Sequence, residues 1–102
     1  MVKINLSLKT VYFDAINRGI KKTEYRDGTP YYVEKLVDMS KYPGLNAEQI
    51  LEELRKGAKL YPKKIDAIVF HNNQRVLTME VKGIEVYDHH TSFAIKLGKR
   101  IN

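Results

Sequence analysis

Four segments of the chain predict β-strands, and alternation of hydrophobic and polar residues with a period of two is clearest in the first of them. In the first segment, VKINLSL (2–8), the side chains of Ile4, Leu6 and Leu8 share one face, as in a half-buried strand. The other three segments lie in the second half of the chain: IDAIVF (65–70), RVLTMEVKGIEVY (75–87) and SFAIKL (92–97). The HNNQ segment between the first two of these has the composition of a hairpin turn.

A helical spacing of apolar residues follows the first strand. Thr10 is suited to the N-cap position, and Gly19 supplies a stop. The apolar stripe between and just beyond them consists of Tyr12, Ala15, Ile16 and Ile20. The next segment, KTEYR (22–26), predicts a second strand that has Lys22, Glu24 and Arg26 on one face and Thr23 and Tyr25 on the other.

Two further helices are predicted in the middle of the chain. Thr29 and Pro30 combine a turn with a helix start, because threonine caps a helix and proline fits its first position. The helix that they begin carries Tyr32, Leu36 and Met39 at helical spacing. The second helix begins at Asn46, which forms a capping-box pattern with Gln49, and it ends at Gly57. Its inward residues are Ile50, Leu51 and Leu54.

The longest predicted strand changes its hydrophobic phase at Gly83. The apolar residues occupy odd positions before it and even positions after it: Leu77, Met79, Val81, then Ile84 and Val86. Because a shift of one residue turns every later side chain to the other face, Gly83 marks a bulge or a corner. Short antiparallel strands with such a corner predict an α+β fold in which a small, curved or closed β-barrel is decorated by about three helices.

Composition and charge limit the class of protein. The chain has 102 residues, of which 43% are hydrophobic, enough for one domain with one core. Its 18 Lys and Arg against 12 Asp and Glu give a net charge of +6, which favours polyanionic partners. The absence of cysteine excludes disulfides, thiolate metal ligands and cysteine nucleophiles. Since no apolar run is long enough for a membrane span or a signal peptide, we expect a single cytoplasmic domain over residues 1–102 with no membrane association.

The most unusual segment is RGIKKTEYR (18–26), which places four cations around one acid. It is either a solvated turn or a site for a phosphate-bearing ligand. In the second interpretation, Arg26 offers a planar guanidinium for phosphate or a base edge, and Lys21 offers a point charge. Glu24 either accepts hydrogen bonds from an amino group of a base or holds Lys21 and Arg26 in place.

Within this segment, Gly19, Lys21, Glu24 and Arg26 match the GxKxxExR signature of the ASCH domain (activating signal cointegrator homology domain). The chain resembles this family, a relative of the PUA RNA-binding barrel, and the similarity extends beyond the signature. It includes INLSLKTVYFDAINRGIKKTEYR (4–26), LTMEVKGIEVY (77–87) and FAIKLGKRI (93–101). Residues 29–60 resemble the helical insert of bacterial members. The resemblance implies a small PUA-like mixed or antiparallel β-barrel.

The resemblance also implies an RNA- or nucleotide-binding cleft beside the barrel, lined by the signature residues. We add two tyrosines close to the signature, because aromatic rings beside cations stack with the bases of single-stranded RNA. The expected ligand-binding residues are Lys21, Lys22, Thr23, Glu24, Arg26, Tyr31 and Tyr32. The remaining tyrosines available for stacking are Tyr25, Tyr42, Tyr61 and Tyr87.

A hydrolase is the first alternative. Some small bacterial ASCH proteins deacetylate N4-acetylcytidine with a lysine and a threonine of the signature segment and an acidic residue from the C-terminal half. Lys21 matches the lysine, whereas Glu24 occupies the place of the threonine, and the segment that supplies the acid is reduced to DHHT (88–91). Ribonuclease activity has also been proposed for the family. The catalytic candidates of such an enzyme are Lys21, Glu24 and Glu80, which shares a strand face with Thr78 and Lys82.

The second alternative is a structural or protein-interaction module whose vestigial cleft is filled by Tyr25 or Tyr31. The basic run 56–64 and the C-terminal cations Lys96, Lys99 and Arg100 either extend a phosphate track or form solvated surface. We expect no metal, because the adjacent His89 and His90 lack a third ligand at a suitable spacing. We expect no cofactor either.

Overall fold

A computed structural model describes all residues from 1 to 102. It contains three α-helices, one short 3₁₀ helix and five strands, which confirms the α+β class and the number of helices. In chain order the elements are β1 (Lys3–Ser7), α1 (Thr10–Asn17), β2 (Thr23–Asp27), α2 (Pro30–Leu36), the 3₁₀ helix (Met39–Lys41), α3 (Ala47–Arg55), β3 (Ala67–Asn72), β4 (Arg75–Tyr87) and β5 (Ser92–Arg100). None of the helices is long and apolar enough to cross a membrane.

The five strands form one mixed sheet in the order β1-β3-β4-β5-β2. β1 is parallel to β3, with Ile4 beside Ile68, whereas β3 is antiparallel to β4, with Phe70 beside Leu77. The turn between β3 and β4 has a left-handed residue, Asn73, at φ 55°, which asparagine tolerates well. The sequence therefore predicted all five strands of the sheet and the turn between β3 and β4.

The contacts within the chain define two compact units. Unit 1 comprises residues 1–24, 65–83 and 96–102, and unit 2 comprises residues 25–64 and 84–95. Unit 1 contains β1, α1 and β3, together with most of β4 and the end of β5. Unit 2 contains α2, the 3₁₀ helix and α3, and with them the end of β4 and the start of β5.

Each unit has its own buried apolar side chains. In unit 1 they come from β1, α1, β3, β4 and β5 and from the residues next to β1 and β3: Leu6, Leu8, Phe13, Ile16, Ile65, Ala67, Ile68, Phe70, Leu77, Met79 and Leu97. In unit 2 they come from α2, α3 and the adjoining strand segments: Val33, Leu36, Val37, Tyr42, Ile50, Leu51, Leu54, Ile84, Phe93, Ala94 and Ile95. Burial of a Val, Leu, Ile or Phe side chain contributes about 1.5–3 kcal/mol relative to its exposure.

The face that α1 buries differs from the predicted stripe. The helix buries Phe13 and Ile16, whereas Tyr12 is 46% exposed and Ile20 is 70% exposed. Ile20 cannot continue the stripe, because the helix has already ended before Gly19. The predicted cap is also wrong, since Lys9 is the N-cap and provides no side-chain hydrogen bond. The hydroxyl of Thr10 instead accepts a hydrogen bond from Asn72 Nδ2 at 3.2 Å.

The starts of α2 and α3 confirm the predictions from the sequence. Thr29 caps α2 through its hydroxyl, which accepts from Tyr32 N, and Pro30 is the first helical residue. At α3, Asn46 Oδ1 accepts from Gln49 N while Gln49 Oε1 accepts from Asn46 N, both at 2.9 Å. This capping box satisfies backbone donors that have no partner within the helix.

The change of phase in β4 is visible in its burial. Of the apolar residues, Leu77 and Met79 are buried before Gly83 and Ile84 is buried after it, although Thr78 between the first two is buried as well. The strand itself runs without interruption from Arg75 to Tyr87. The change of the buried face therefore occurs within a continuous strand.

Candidate ligand-binding site

The signature segment, which comprises residues 18–26, begins where α1 ends. Gly19 adopts a φ of +74°, a left-handed conformation that glycine occupies without the strain of a side chain. The N–H groups of Ile20 and Lys21 both donate to the carbonyl of Ala15, at 2.9 and 3.1 Å. The left-handed glycine thus reverses the chain and fixes the backbone of Lys21 against the last turn of the helix.

The side chain of Lys21 is held between an acid and an aromatic ring. Its Nζ lies 3.3 Å from Glu24 Oε1 and 5.2 Å from the centroid of the Tyr12 ring. Only 21% of the Lys21 side chain and 7% of the Glu24 side chain are exposed. Because a buried carboxylate needs compensating charge and hydrogen bonds, this ion pair positions Lys21 as well as stabilising Glu24.

A surface pocket of about 560 Å³ opens beside this pair in unit 1. We call it the basic pocket. Its twelve lining residues are Ile16, Asn17, Gly19, Lys21, Lys22, Met79, Glu80, Lys82, Leu97, Gly98, Lys99 and Arg100. Five of these residues are cationic and only one, Glu80, is acidic. The volume is within the range of small-molecule sites, about 300–1,000 Å³.

The pocket combines a charged lining with an apolar wall. Ile16, Met79 and Leu97 are all buried core residues, so the wall that they form belongs to the packed interior of unit 1. Lys22, Lys82 and Lys99 are exposed, as expected for cations that meet a ligand from solvent. The pocket can therefore offer both an apolar surface and positive charge to one bound molecule.

Arg100 is oriented by a neighbour that also lines the pocket. Its Nη1 donates to Asn17 Oδ1 at 2.6 Å, and its Nε donates to the carbonyl oxygen of Asn102. Asn17 is the last residue of α1, and Arg100 is the last residue of β5. These hydrogen bonds favour one orientation of the guanidinium, which lowers the entropy lost when it binds an anion.

Glu80 lies directly against the backbone of β5. A Cβ atom added at Gly98 would lie 2.0 Å from Glu80 Oε1, so the carboxylate occupies the space that a side chain at position 98 would take. The N–H of Lys99 points at the same oxygen, at 3.4 Å. The absence of a side chain at Gly98 thus lets the single acid of the pocket pack against the strand.

Arg26, Tyr31 and Tyr32 belong to unit 2 and do not line the basic pocket. Arg26 Nη1 donates to the Tyr32 hydroxyl at 2.9 Å, and its guanidinium carbon lies 5.8 Å from the Tyr32 ring centroid. Tyr31 packs edge-on against Tyr32 with 5.0 Å between ring centroids, and Lys35 Nζ lies 5.5 Å from the Tyr31 ring. The three predicted residues and Lys35 therefore form one cation–aromatic cluster.

The structure separates the predicted site residues into three groups. Lys21, Lys22 and Glu80 line the basic pocket. Glu24 lies behind Lys21 as its ion-pair partner, and the half-buried Thr23 does not line the pocket. The cation–aromatic cluster holds the remaining predicted residues. The pocket thus takes only part of its lining from the signature segment.

Two lining residues had no role in the sequence analysis: Asn17 and Gly98. A sequence signal existed for Gly98, because a glycine inside a strand often marks a close approach of another group. Lys99 and Arg100 were considered only as the end of a phosphate track or as surface, and Lys82 only as a neighbour of Glu80. Their shared pocket could not be read from residues so far apart in the chain.

Most of the other tyrosines have structural partners in unit 2. Tyr42 donates its hydroxyl to the carbonyl of Lys59 at 2.7 Å and accepts from Tyr61 N at 3.0 Å. Tyr25 and Tyr87 pack together with 4.9 Å between ring centroids, although both remain about half exposed. Tyr25 does not line the basic pocket, and neither does Tyr31, so neither ring fills it.

The turn that follows β4 has three successive left-handed residues, Asp88, His89 and His90. Thr91 closes the turn, since its hydroxyl donates to the carbonyl of Asp88 at 2.6 Å. No group of three or more His, Cys, Asp or Glu side chains in residues 1–102 is arranged to hold a metal ion.

No protein-family model, no curated protein and no solved structure matches the chain. A functional interpretation therefore rests on the geometry of the basic pocket and on the resemblance of the signature segment.

Proposed function

We propose that this protein is an ASCH-like member of the PUA-like barrels and that it binds RNA or a nucleotide in the basic pocket. The observation that carries this proposal is the charge of the pocket, in which five cations face one carboxylate. The match of Gly19, Lys21, Glu24 and Arg26 to the GxKxxExR signature supports the same function. The net charge of +6 adds a long-range attraction for polyanions.

In this proposal the two surfaces of the pocket bind different parts of the ligand. The cations bind phosphate oxygens, to which lysine offers a point charge and Arg100 a planar set of donors. The apolar wall of Ile16, Met79 and Leu97 contacts the base. Because phosphate binding releases condensed counterions, the affinity for RNA must fall as the salt concentration rises.

The cation–aromatic cluster of unit 2 is the second part of the proposal. Tyr31 is 56% exposed, so its ring is accessible to a base, and Lys35 and Arg26 supply positive charge within the same cluster. Stacking of a base on an aromatic side chain is worth about 1–3 kcal/mol by alanine substitution. We therefore expect Tyr31→Ala to weaken the binding of single-stranded RNA without altering the basic pocket.

The test compares two pairs of charge-neutralising substitutions. Lys82→Gln/Lys99→Gln removes two exposed cations of the basic pocket, and Lys3→Gln/Lys64→Gln removes two exposed cations that do not line it. Binding of a fluorescent single-stranded RNA is measured by anisotropy at salt concentrations from about 50 mM to about 200 mM. The first pair should weaken binding and flatten the slope of log K against log salt by about 1.4, about 0.7 for each lost contact.

The control pair should change the slope much less, because its cations do not contact the ligand. Equal losses in both pairs would attribute binding to net charge and would reject the basic pocket as the site. If the wild-type protein binds no RNA and no nucleotide, the proposed function is wrong and the signature segment serves the scaffold.

A hydrolase is the second candidate, favoured by the ion pair of Lys21 with Glu24 beside a pocket that a second acid, Glu80, also lines. Lys21 Nζ lies 3.3 Å from Glu24 Oε1, and Glu80 lines the same pocket as Lys21. A lysine held in this way can donate a proton to a leaving group or stabilise a developing negative charge. Incubation with N4-acetylcytidine and with an RNA oligonucleotide distinguishes the candidates, since turnover that Lys21→Ala abolishes supports an enzyme of the corresponding kind.

A further inference from the structure

We infer that Glu80 makes the basic pocket selective for nucleobases that carry an exocyclic amino group, an inference that rests on the proposed nucleotide-binding function. The starting observation is the isolation of this acid. Glu80 is the only carboxylate that lines the pocket, and it forms no ion pair with any of the five cations there.

The position of the carboxylate is fixed by the backbone of β5. Its Oε1 occupies the space above Gly98 and faces the N–H of Lys99. Its Oε2 has no hydrogen-bond partner within the protein. One oxygen therefore lies against the strand, and the other remains available to accept a hydrogen bond from a ligand.

A free carboxylate in a phosphate-binding pocket lowers the affinity for every anionic ligand through Coulomb repulsion. A ligand offsets this cost only if it donates a hydrogen bond to the carboxylate. Carboxylates accept such bonds from the amino group of cytosine, and the 2-amino group of guanine is a donor of the same kind. Uracil and hypoxanthine lack the exocyclic amino group and offer only a ring N–H, which can reach the carboxylate only in a different orientation of the base.

Glu24 cannot perform this role, although the sequence made it the first candidate for reading an amino group. Its side chain is only 7% exposed, its Oε1 is engaged by Lys21, and it does not line the pocket. The distinction between the two acids follows from their surroundings: Glu24 is buried behind a lysine, whereas Glu80 is half-buried and faces the pocket.

Calorimetric titration with two pairs of nucleoside monophosphates tests the inference. Each pair differs in one exocyclic amino group. GMP and IMP differ only in this group. In UMP a carbonyl oxygen replaces the amino group of CMP, and the ring nitrogen N3 is a donor instead of an acceptor. Wild-type protein should bind the amino-bearing member of each pair about fivefold more tightly or better, the lower limit for a specific base contact. Glu80→Gln should reduce both ratios towards one while it retains or increases the binding of UMP, which also shows that the variant is folded.

Two further variants test whether the selectivity depends on the position of the Glu80 carboxylate and not only on its charge. The first displaces the carboxylate, and the second is a control. Gly98→Ala keeps the charge of Glu80 but places a Cβ where Oε1 lies, so it should also reduce both ratios. Glu34→Gln changes an exposed acid outside the pocket and should leave both ratios unchanged.

The outcomes distinguish this inference from the function on which it rests. Equal binding of all four nucleotides, or selectivity that survives Glu80→Gln, overturns the inference and leaves the basic pocket as the binding site. Binding of RNA without binding of any nucleotide also overturns the inference alone. Absence of binding of both RNA and nucleotides overturns the proposed function itself.

Discussion

Lys21 Nζ lies 3.3 Å from Glu24 Oε1, and the carboxylate side chain of this pair is only 7% exposed. The pair joins Lys21, in the segment between α1 and β2, to Glu24 in the first part of β2. Two of the charges of the signature segment are thereby used within the fold before any ligand binds. Removal of Lys21 alone should therefore destabilise the fold, because it leaves the buried carboxylate without this partner.

The first prediction concerns the stability of this ion pair. Lys21→Met removes a partner of a buried carboxylate and should lower the free energy of unfolding by about 1–3 kcal/mol. The double variant Lys21→Met/Glu24→Gln should lose less than the sum of the two single variants, since it leaves no buried charge. Urea unfolding of the four proteins measures this coupling.

The control for this cycle is an exposed pair of the same spacing, Lys56 and Glu53, at 3.5 Å. Lys56→Met should change the free energy of unfolding by less than about 1 kcal/mol, as is usual for surface ion pairs. Simple additivity of the Lys21 and Glu24 variants would show that the pair is not coupled.

The second prediction concerns the close approach of two backbone segments at Gly28. Its N–H donates to the carbonyl oxygen of Thr91 at 2.8 Å, and an added Cβ would lie 2.7 Å from that oxygen. Gly28→Ala must displace the backbone of Thr91 and should cost about 1–3 kcal/mol. Gly83→Ala is the matched control, since no atom lies within 4 Å of its added Cβ. It should be neutral or slightly stabilising, because alanine restricts the unfolded chain. Thermal unfolding should give a lower melting temperature for Gly28→Ala than for Gly83→Ala. Equal melting temperatures would contradict the prediction.

The third prediction concerns helix caps. Asn46→Ala removes the capping box of α3 and should lower the free energy of unfolding by about 1 kcal/mol. The N-cap of α1 is Lys9, an extended residue without a side-chain hydrogen bond. Lys9→Asp should therefore raise the free energy of unfolding by about 0.5–1 kcal/mol. Urea unfolding should therefore give changes of opposite sign for the two variants. Equal signs would mean that the cap geometry does not limit the stability of either helix.

The fourth prediction concerns alkaline pH. Burial raises the pKa of the Tyr42 hydroxyl above its ordinary value of 10.0. Below pH 10 this residue is protonated in both states and adds no pH dependence. As the pH rises from 10 towards the folded-state pKa, the hydroxyl ionises more readily in the unfolded chain than in the folded one. The free energy of unfolding must therefore fall in this window.

Comparison with Tyr42→Phe isolates this contribution. The variant loses the hydrogen bonds to Lys59 and Tyr61 and should be about 1–2 kcal/mol less stable than the wild type near neutral pH. The difference between the two proteins should narrow above about pH 10, where only the wild type carries the Tyr42 ionisation. Urea unfolding between about pH 8 and about pH 11 measures it, with the exposed Tyr31→Phe as a control. A constant difference across this range would contradict a raised pKa.

The sequence by itself determined the elements of this protein and their order. Strands have a period of two and helices a period near 3.6, so the polar pattern locates both without knowledge of the fold. The caps at Thr29 and Asn46 and the left-handed Gly19 are equally local, because their geometry depends on a few consecutive residues. The change of buried face at Gly83 was readable for the same reason.

Only the tertiary structure decided which side chains share a site. The face that α1 buries, Phe13 with Ile16, is set by packing rather than by the apolar spacing alone. The basic pocket is lined by residues from α1, from the segment after it, and from β4 and β5. Arg26 does not line it and donates a hydrogen bond to the Tyr32 hydroxyl instead. Pairing of strands brings such distant residues together. The sequence identifies the charged residues that could form a site, but the fold determines which of them lie close together.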